Sequence, residues 1–254
     1  MNHEKLIENL KTLKLDSISR NFVEAAILAE KKNLTYEGYL SGLIDEELGE
    51  KHAIKVKRLV KEASFPVMKT FEEFDFKKRT GITEKQFIRL TTGDFLREAT
   101  NIVFFGDFSV GKSHLATVLA YKLCEKGFRC LFTPTNTLIE KMIVAKKNST
   151  ILNLMKKLDR YDLIVCDELG YIPQEPVGAD LFFQLISQRS ERKSLAITTN
   201  LTYSEWEKIF LNPLTTSAAV ERIIANCETY NIKGPSHRKE MAKKKQETLT
   251  QELN

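Results

Sequence analysis

The sequence predicts an α/β protein, a parallel sheet flanked by helices, preceded by a small all-helical N-terminal domain. Three observations carry this. The first sixty residues repeat apolar side chains at helical spacing. From about residue 82, short apolar runs alternate with helical patterns. A glycine-containing turn joins the first of those runs to the helix after it. Strands that alternate with helices pair in parallel and are covered on both faces.

The helical spacing is carried first by Leu6, Leu10 and Leu13, then by Ile18, Phe22, Ala25 and Ala29. Thr35 is placed to cap a third helix bearing Tyr36, Tyr39, Leu40, Leu43 and Leu48. Ser64-Phe65-Pro66 ends this N-terminal domain, 1–64, because the residue before proline leaves the helical region. Residues 65–81 read as a linker, extended from Val67 to Phe76. Thr83 and Gln86 then form a capping box. Strands are expected at 101–105, 128–132, 162–166 and 194–198. Helices are expected at 112–126, 135–147 and 178–191, and Thr202 with Glu205 opens another through Phe210.

Composition narrows the function. No run of eighteen apolar residues exists, so no membrane-spanning helix is expected. Residues 1–11 carry charges of both signs and lack a signal-peptide core, so a cytoplasmic location is expected. Cys124, Cys130, Cys166 and Cys227 have no metal-ligand spacing. The net charge of +5 permits nucleic-acid binding without requiring it. Basic residues gather at 55–61, at 77–79, at 146–160 and in the tail 239–254. Each cluster reads as a solvated face or as part of a phosphate-binding surface. The tail reads as a DNA-contacting arm or as disordered.

The turn itself is specific. Gly106-Asp107-Phe108-Ser109-Val110-Gly111-Lys112-Ser113 fits G-x-x-x-x-G-K-[ST], with a strand before it and a helix after it. Glycines let such a loop curl so that its N–H groups face phosphate oxygens, and the helix N-terminus adds partial positive charge. The expected nucleotide contacts run from Gly106 to His114. Lys112 is expected on the β- and γ-phosphates of ATP, and the Ser113 hydroxyl on Mg2+. The run 163–166 ends in Asp167-Glu168, at the strand edge where ligands of open α/β sheets bind. Asp167 is expected to hold Mg2+ through water, and Glu168 to polarise the attacking water. Thr198-Thr199-Asn200 ends the next strand at the same edge, within reach of the γ-phosphate.

The P-loop resembles that of the IstB family, as do Asp167-Glu168-Leu169-Gly170-Tyr171-Ile172-Pro173, the stretch 178–186 and Thr199-Asn200-Leu201 with Ser204-Glu205-Trp206. The likeness extends to Phe65-Pro66 and Phe71-Glu72-Glu73-Phe74-Asp75-Phe76, and covers the chain from Leu13 to about Arg238. IstB proteins are ATP-binding helpers of bacterial insertion sequences. They resemble the helicase loader DnaC and belong to the AAA+ initiator and loader clade.

The resemblance implies a five-stranded AAA+ P-loop core over residues 82–238. It implies an ATPase that forms an ATP- and DNA-dependent homo-oligomer on double-stranded DNA, bends it and recruits a cognate transposase. It assigns sensor 1 to Asn200, an arginine finger to Arg222 and the sensor 2 arginine to Arg238. Asp107-Phe108 departs from the family's usual Pro-Pro, and His237 from a usual Tyr. The alternative is a DnaC-like replicative helicase loader. A non-hydrolysing scaffold would have no use for Glu168, and a nucleotide kinase would need an acceptor pocket and a lid that the sequence does not suggest.

Overall fold

The computed structural model describes residues 3–170, 176–210 and 213–236. Between residues 101 and 231 the chain folds into five strands: β1 (Asn101–Phe105), β2 (Cys130–Pro134), β3 (Leu163–Leu169), β4 (Ser194–Thr199) and β5 (Cys227–Asn231). All are parallel, in the order β2-β3-β4-β1-β5. This is the five-stranded core that was expected.

Eleven α-helices accompany the sheet among the described residues. They are α1 (His3–Thr12), α2 (Asp16–Lys31), α3 (Tyr36–Ala63), α4 (Glu84–Leu90), α5 (Asp94–Arg97), α6 (Lys112–Glu125), α7 (Thr135–Lys147), α8 (Ile151–Leu158), α9 (Pro176–Arg189), α10 (Glu207–Phe210) and α11 (Pro213–Ile224). None is long and apolar enough to cross a membrane.

The period-2 alternation of the strands sorts their side chains to two faces. Ile102, Phe104 and Val165 pack with Leu115, Leu119 and Leu123 of α6. Val103, Ile164, Cys166 and Ile197 pack with Leu138 and Met142 of α7 and Phe182 and Ile186 of α9. Each such side chain contributes about 1.5–3 kcal/mol through burial. Two polar side chains tie elements together inside this core. Asn101 donates to Ile223 O and accepts from Leu195 N–H. Arg189, fully buried at the end of α9, donates to the carbonyls of Leu158, Tyr161, Asp162 and Ser194. Burial pushes its guanidinium down to about 10, so it remains charged at neutral pH.

Two compact units divide at Arg58 and Leu59. The first has a small core of Ile18, Phe22 and Leu43. Its α2 is capped from α3: the Ile18 N–H donates to the buried carboxylate of Glu47, 3.0 Å away. Thr35 accepts from the Gly38 N–H, as its capping position suggested.

Several local expectations shift. β2 begins two residues later than expected, because Gly127 and Phe128 still bond to the last turn of α6. β3 continues through the acidic pair to Leu169. The segment expected to be an extended linker packs Phe71, Phe74 and Phe76 onto the core of the second unit. The Thr83–Gln86 capping box forms in full. Thr202 and Glu205 open a short 3-10 turn, Tyr203–Trp206, ahead of the brief α10.

Candidate functional site

The loop between β1 and α6 is shaped by residues that must adopt positive φ. Gly106 has φ 145°, and a Cβ there would lie 2.1 Å from Ile232 O. Gly111, the N-cap of α6, has φ 103°, and a Cβ there would meet the Phe74 ring at 2.7 Å. Ser109 also has positive φ, 62°. Mixed right- and left-handed residues of this kind turn successive N–H groups to one side and make an anion-binding concavity. The N-terminus of α6 opens into the same loop.

Lys112 folds back on this loop. Its Nζ donates to Gly106 O at 2.7 Å and to Asp107 O at 2.6 Å. Burial holds the ammonium below the ordinary lysine range, while Asp107, Asp167 and Glu168 act in the opposite direction. The same balance puts both acids of β3 within electrostatic reach of Lys112.

Those acids sit on a β-bulge. Cys166 pairs with Ile197 and Leu169 with Thr199, so Asp167 and Glu168 together oppose the single residue Thr198. Glu168 is the extra residue and has φ 58°. The buried Thr198 hydroxyl accepts from the Glu168 N–H at 2.8 Å and donates to Asp167 Oδ1 at 2.5 Å. Thr135 Oγ1 donates to Asp167 O, which fixes the same turn from α7. The bulge also returns Leu169 to the face it shares with Cys166, so the acidic pair interrupts the strand without exposing its last apolar residue.

A cavity of about 300 Å³ joins these parts. Phe108, Ser109, Gly111, Lys112, Ser113 and His114 line one side, with Glu168, Thr199 and Asn200 at the strand edge. Lys69, Glu73, Phe74 and Arg79 complete it. Gly106 and Asp107 supply the carbonyls that hold Lys112, and Val110 is buried in the core, where it anchors the loop. Asp167 is held behind Glu168 by Thr198. His114 Nε2 lies 2.8 Å from Thr70 O, which ties the start of α6 to the 69–79 segment.

Arg222 does not line this cavity. It is exposed on α11, with Nη1 donating to Ala218 O and Cζ 5.1 Å from the Phe183 ring centre. Arg238, His237 and the tail 239–254 lie outside the described residues, as do 171–175.

Two lining residues, Arg79 and Phe74, and one residue behind the lining, Thr198, escaped sequence reading. Arg79 was grouped with Lys77 and Lys78 as a basic cluster, yet it is buried with its guanidinium 5.3 Å from the Phe74 ring centre. Phe74 belonged to the supposed linker. Thr198 stood beside Asn200 in a noted triplet, but its partnership with Asp167 depends on strand register.

The arrangement offers a positively polarised loop, a lysine, a hydroxyl and two carboxylates around one cavity, which suits a phosphate ester and a hard cation. Residues 8–246 match the profile of the IstB-like ATP binding protein family. An insertion sequence ATP-binding protein of Sinorhizobium fredii is 33% identical over 92% of this chain and 78% of its own length. That of insertion sequence IS232 of Bacillus thuringiensis is 30% identical over 93% and 94%. That of insertion sequence IS21 of Pseudomonas aeruginosa is 31% identical over 90% and 86%. Among solved structures, DnaI superimposes with a TM-score of 0.53 at 17% identity, over 71% of this chain and 92% of its own. The DnaC helicase loader gives 0.51 at 22%, over 63% and 97%. These two likenesses speak to the fold.

Proposed function

The chain belongs to the IstB-like ATP-binding protein family, and from that premise we propose that it is an ATPase that assembles on double-stranded DNA and helps a partner transposase engage its target. The observation that supports the chemistry best is the bulge that holds Glu168 at the cavity edge opposite the P-loop.

In this reading the loop N–H groups and Lys112 bind the phosphates of ATP. Lys112 exchanges its two loop carbonyls for phosphate oxygens, so it stabilises the bound nucleotide directly. Ser113 and Asp167 offer a hydroxyl and a carboxylate, which are hard oxygen donors suited to Mg2+. Among the described residues no cluster of three or more His, Cys, Asp or Glu could hold a metal, so the nucleotide's own oxygens would complete the shell. Magnesium, when bound, neutralises charge on the phosphates. Glu168 orients a water and accepts its proton, and Asn200 steadies that water or the γ-phosphate. Thr198 positions both acids through one hydroxyl.

Arg222 lies away from its own chain's cavity, which supports a role in completing a neighbour's site, and homo-oligomers driven by ATP and DNA follow. Arg238 is assigned to sensor 2 on family likeness alone. Lys146, Lys147, Lys156 and Lys157 are exposed on the last turns of α7 and α8 and form, with Arg160, the proposed DNA-facing surface. The relatives named for insertion sequences favour a transposition helper over a helicase loader, because the loader likeness concerns the fold.

DNA binding in a salt titration tests the assembly. With ATP, affinity should fall linearly on a log–log plot, by about 0.9 per phosphate neutralised. Charge reversal at those four lysines should weaken binding and flatten the slope while leaving ATP binding intact. Unchanged affinity and slope would exclude this surface. No ATP-dependent DNA binding in the unaltered protein would overturn the assembly reading.

A further inference from the structure

The sheet leaves one edge open. β2 stands at the end of the strand order and, among the described residues, pairs only with β3. The ladder fixes which of its backbone groups are used. Arg129 O accepts from the Asp162 and Leu163 N–H groups, so residues 129, 131 and 133 turn toward β3. Successive residues of a strand point their N–H and C=O groups to opposite sides, so Phe132 turns both of its groups outward. Among the described residues no backbone partner takes them up.

A cavity of about 470 Å³ runs along this edge. Leu131 and Thr133 line it from one face of β2 and Phe132 from the other, so it straddles the edge itself. Leu138 of α7 and Leu154 of α8 extend the Leu131 side into an apolar wall. Lys141, Lys157 and Arg160 stand exposed around it. The acid in the lining, Glu62, is held by Arg129 through Nε and Nη2, each at 2.9 Å. Every lining residue belongs to the second compact unit, and none is shared with the P-loop cavity.

An open strand edge, an apolar wall and a surplus of positive charge together fit one kind of occupant. We propose that this edge docks an extended acidic segment of a partner protein, which joins the sheet antiparallel beside β2. The incoming residue opposite Phe132 exchanges both backbone hydrogen bonds with it. The residues on either side of that one point to the α7–α8 wall, where β-branched side chains fit against Leu131, Leu138 and Leu154. Acidic residues at the ends of the segment meet Lys141, Lys157 and Arg160. A DNA backbone fits this edge poorly. Its phosphates accept hydrogen bonds but offer no donor to the Phe132 carbonyl, and they gain nothing from the leucines. Lys157 and Arg160 also belong to the proposed DNA-facing surface, whereas Lys141 and the strand edge do not. Docking here leaves the nucleotide cavity open.

Fluorescence anisotropy of a labelled peptide, Asp-Glu-Val-Thr-Val-Asp-Glu, titrated with the full-length protein without nucleotide or DNA, tests this. The peptide should bind saturably, with its Thr opposite Phe132 and its valines on the wall. N-methylation of the Thr nitrogen removes one bond at the edge and should weaken binding about tenfold or more, whereas N-methylation of the first Val, whose N–H faces away, should cost about twofold or less. A peptide with lysines in place of its acids should not bind, and Lys141→Glu should weaken the acidic peptide about tenfold. The peptide modifications leave the protein unaltered, so they remain decisive should Lys141→Glu lose stability. Amide exchange followed by NMR reads the edge directly: the Phe132 N–H should exchange more slowly with the peptide bound and at an unchanged rate with duplex DNA. Absence of saturable binding overturns the proposal. So does equal binding by the Thr-methylated or the lysine peptide, or slowing of Phe132 exchange by the duplex and not by the peptide.

Discussion

The Thr198 hydroxyl donates a 2.5 Å hydrogen bond to Asp167 Oδ1 and accepts the Glu168 N–H, so one buried oxygen on β4 sets both acids at the end of β3. Thr198→Val keeps the shape of the side chain and removes both bonds. Turnover should fall about 10- to 100-fold, the usual cost of losing a residue that orients a metal-side ligand. Nucleotide affinity should change much less, since the P-loop is untouched. Single-turnover phosphate release beside equilibrium nucleotide binding separates the two.

Lys112 gives the site a pH signature. Its ammonium is held below the ordinary lysine value of 10.5, chiefly by burial. Bound phosphate favours the charged form, so a neutral Lys112 takes up a proton from solvent when nucleotide binds. Affinity should be full at neutral pH and decline as pH rises through the lowered value, before an ordinary lysine would titrate. Fluorescent-nucleotide titration from pH 7 to about pH 10 measures this. Lys112→Ala should bind weakly at every pH and show no such decline.

Arg189 tests the core. Its four carbonyl partners belong to the end of α8, the turn before β3 and the start of β4. Arg189→Met fills much of the volume and leaves those carbonyls without their charged donor. The loss should be about 3–5 kcal/mol in urea-denaturation midpoint analysis.

Shared active sites predict complementation. Arg222→Ala and Lys112→Ala should each be inactive alone, an arginine finger being worth about 10³-fold or more. Mixed in equal amounts, they should recover part of the DNA-stimulated turnover, because one mixed interface can hold an intact site. A mixture no more active than its components would place Arg222 outside the chemistry.

The parts of the site that were legible in the sequence are those carried by local spacing. The P-loop declares itself because its glycines, lysine and serine are consecutive and a strand and helix bracket them. Asp167-Glu168 followed from an apolar run that had to end at a sheet edge. The capping box at Thr83 and Gln86 is likewise local. The bulge was hidden, because it exists only in the register of β3 against β4. Arg79 and Phe74 were hidden for a similar reason: a charge run and an aromatic stretch look the same whether they face solvent or fold onto the P-loop. β5 and α8 escaped by pattern. Cys-Glu-Thr-Tyr-Asn is an edge strand with polar residues on its open side, and Ile151–Leu158 is two turns whose apolar side is brief.

The central claim, that this cavity hydrolyses ATP, is tested most directly by Glu168→Gln measured for nucleotide binding and for phosphate release on the same preparation. Glutamine keeps the size and hydrogen-bonding reach of the side chain but cannot accept the water's proton. ATP binding should match that of wild type within a few-fold, and steady-state phosphate release in the presence of DNA should be lost. Normal turnover by Glu168→Gln would contradict the account.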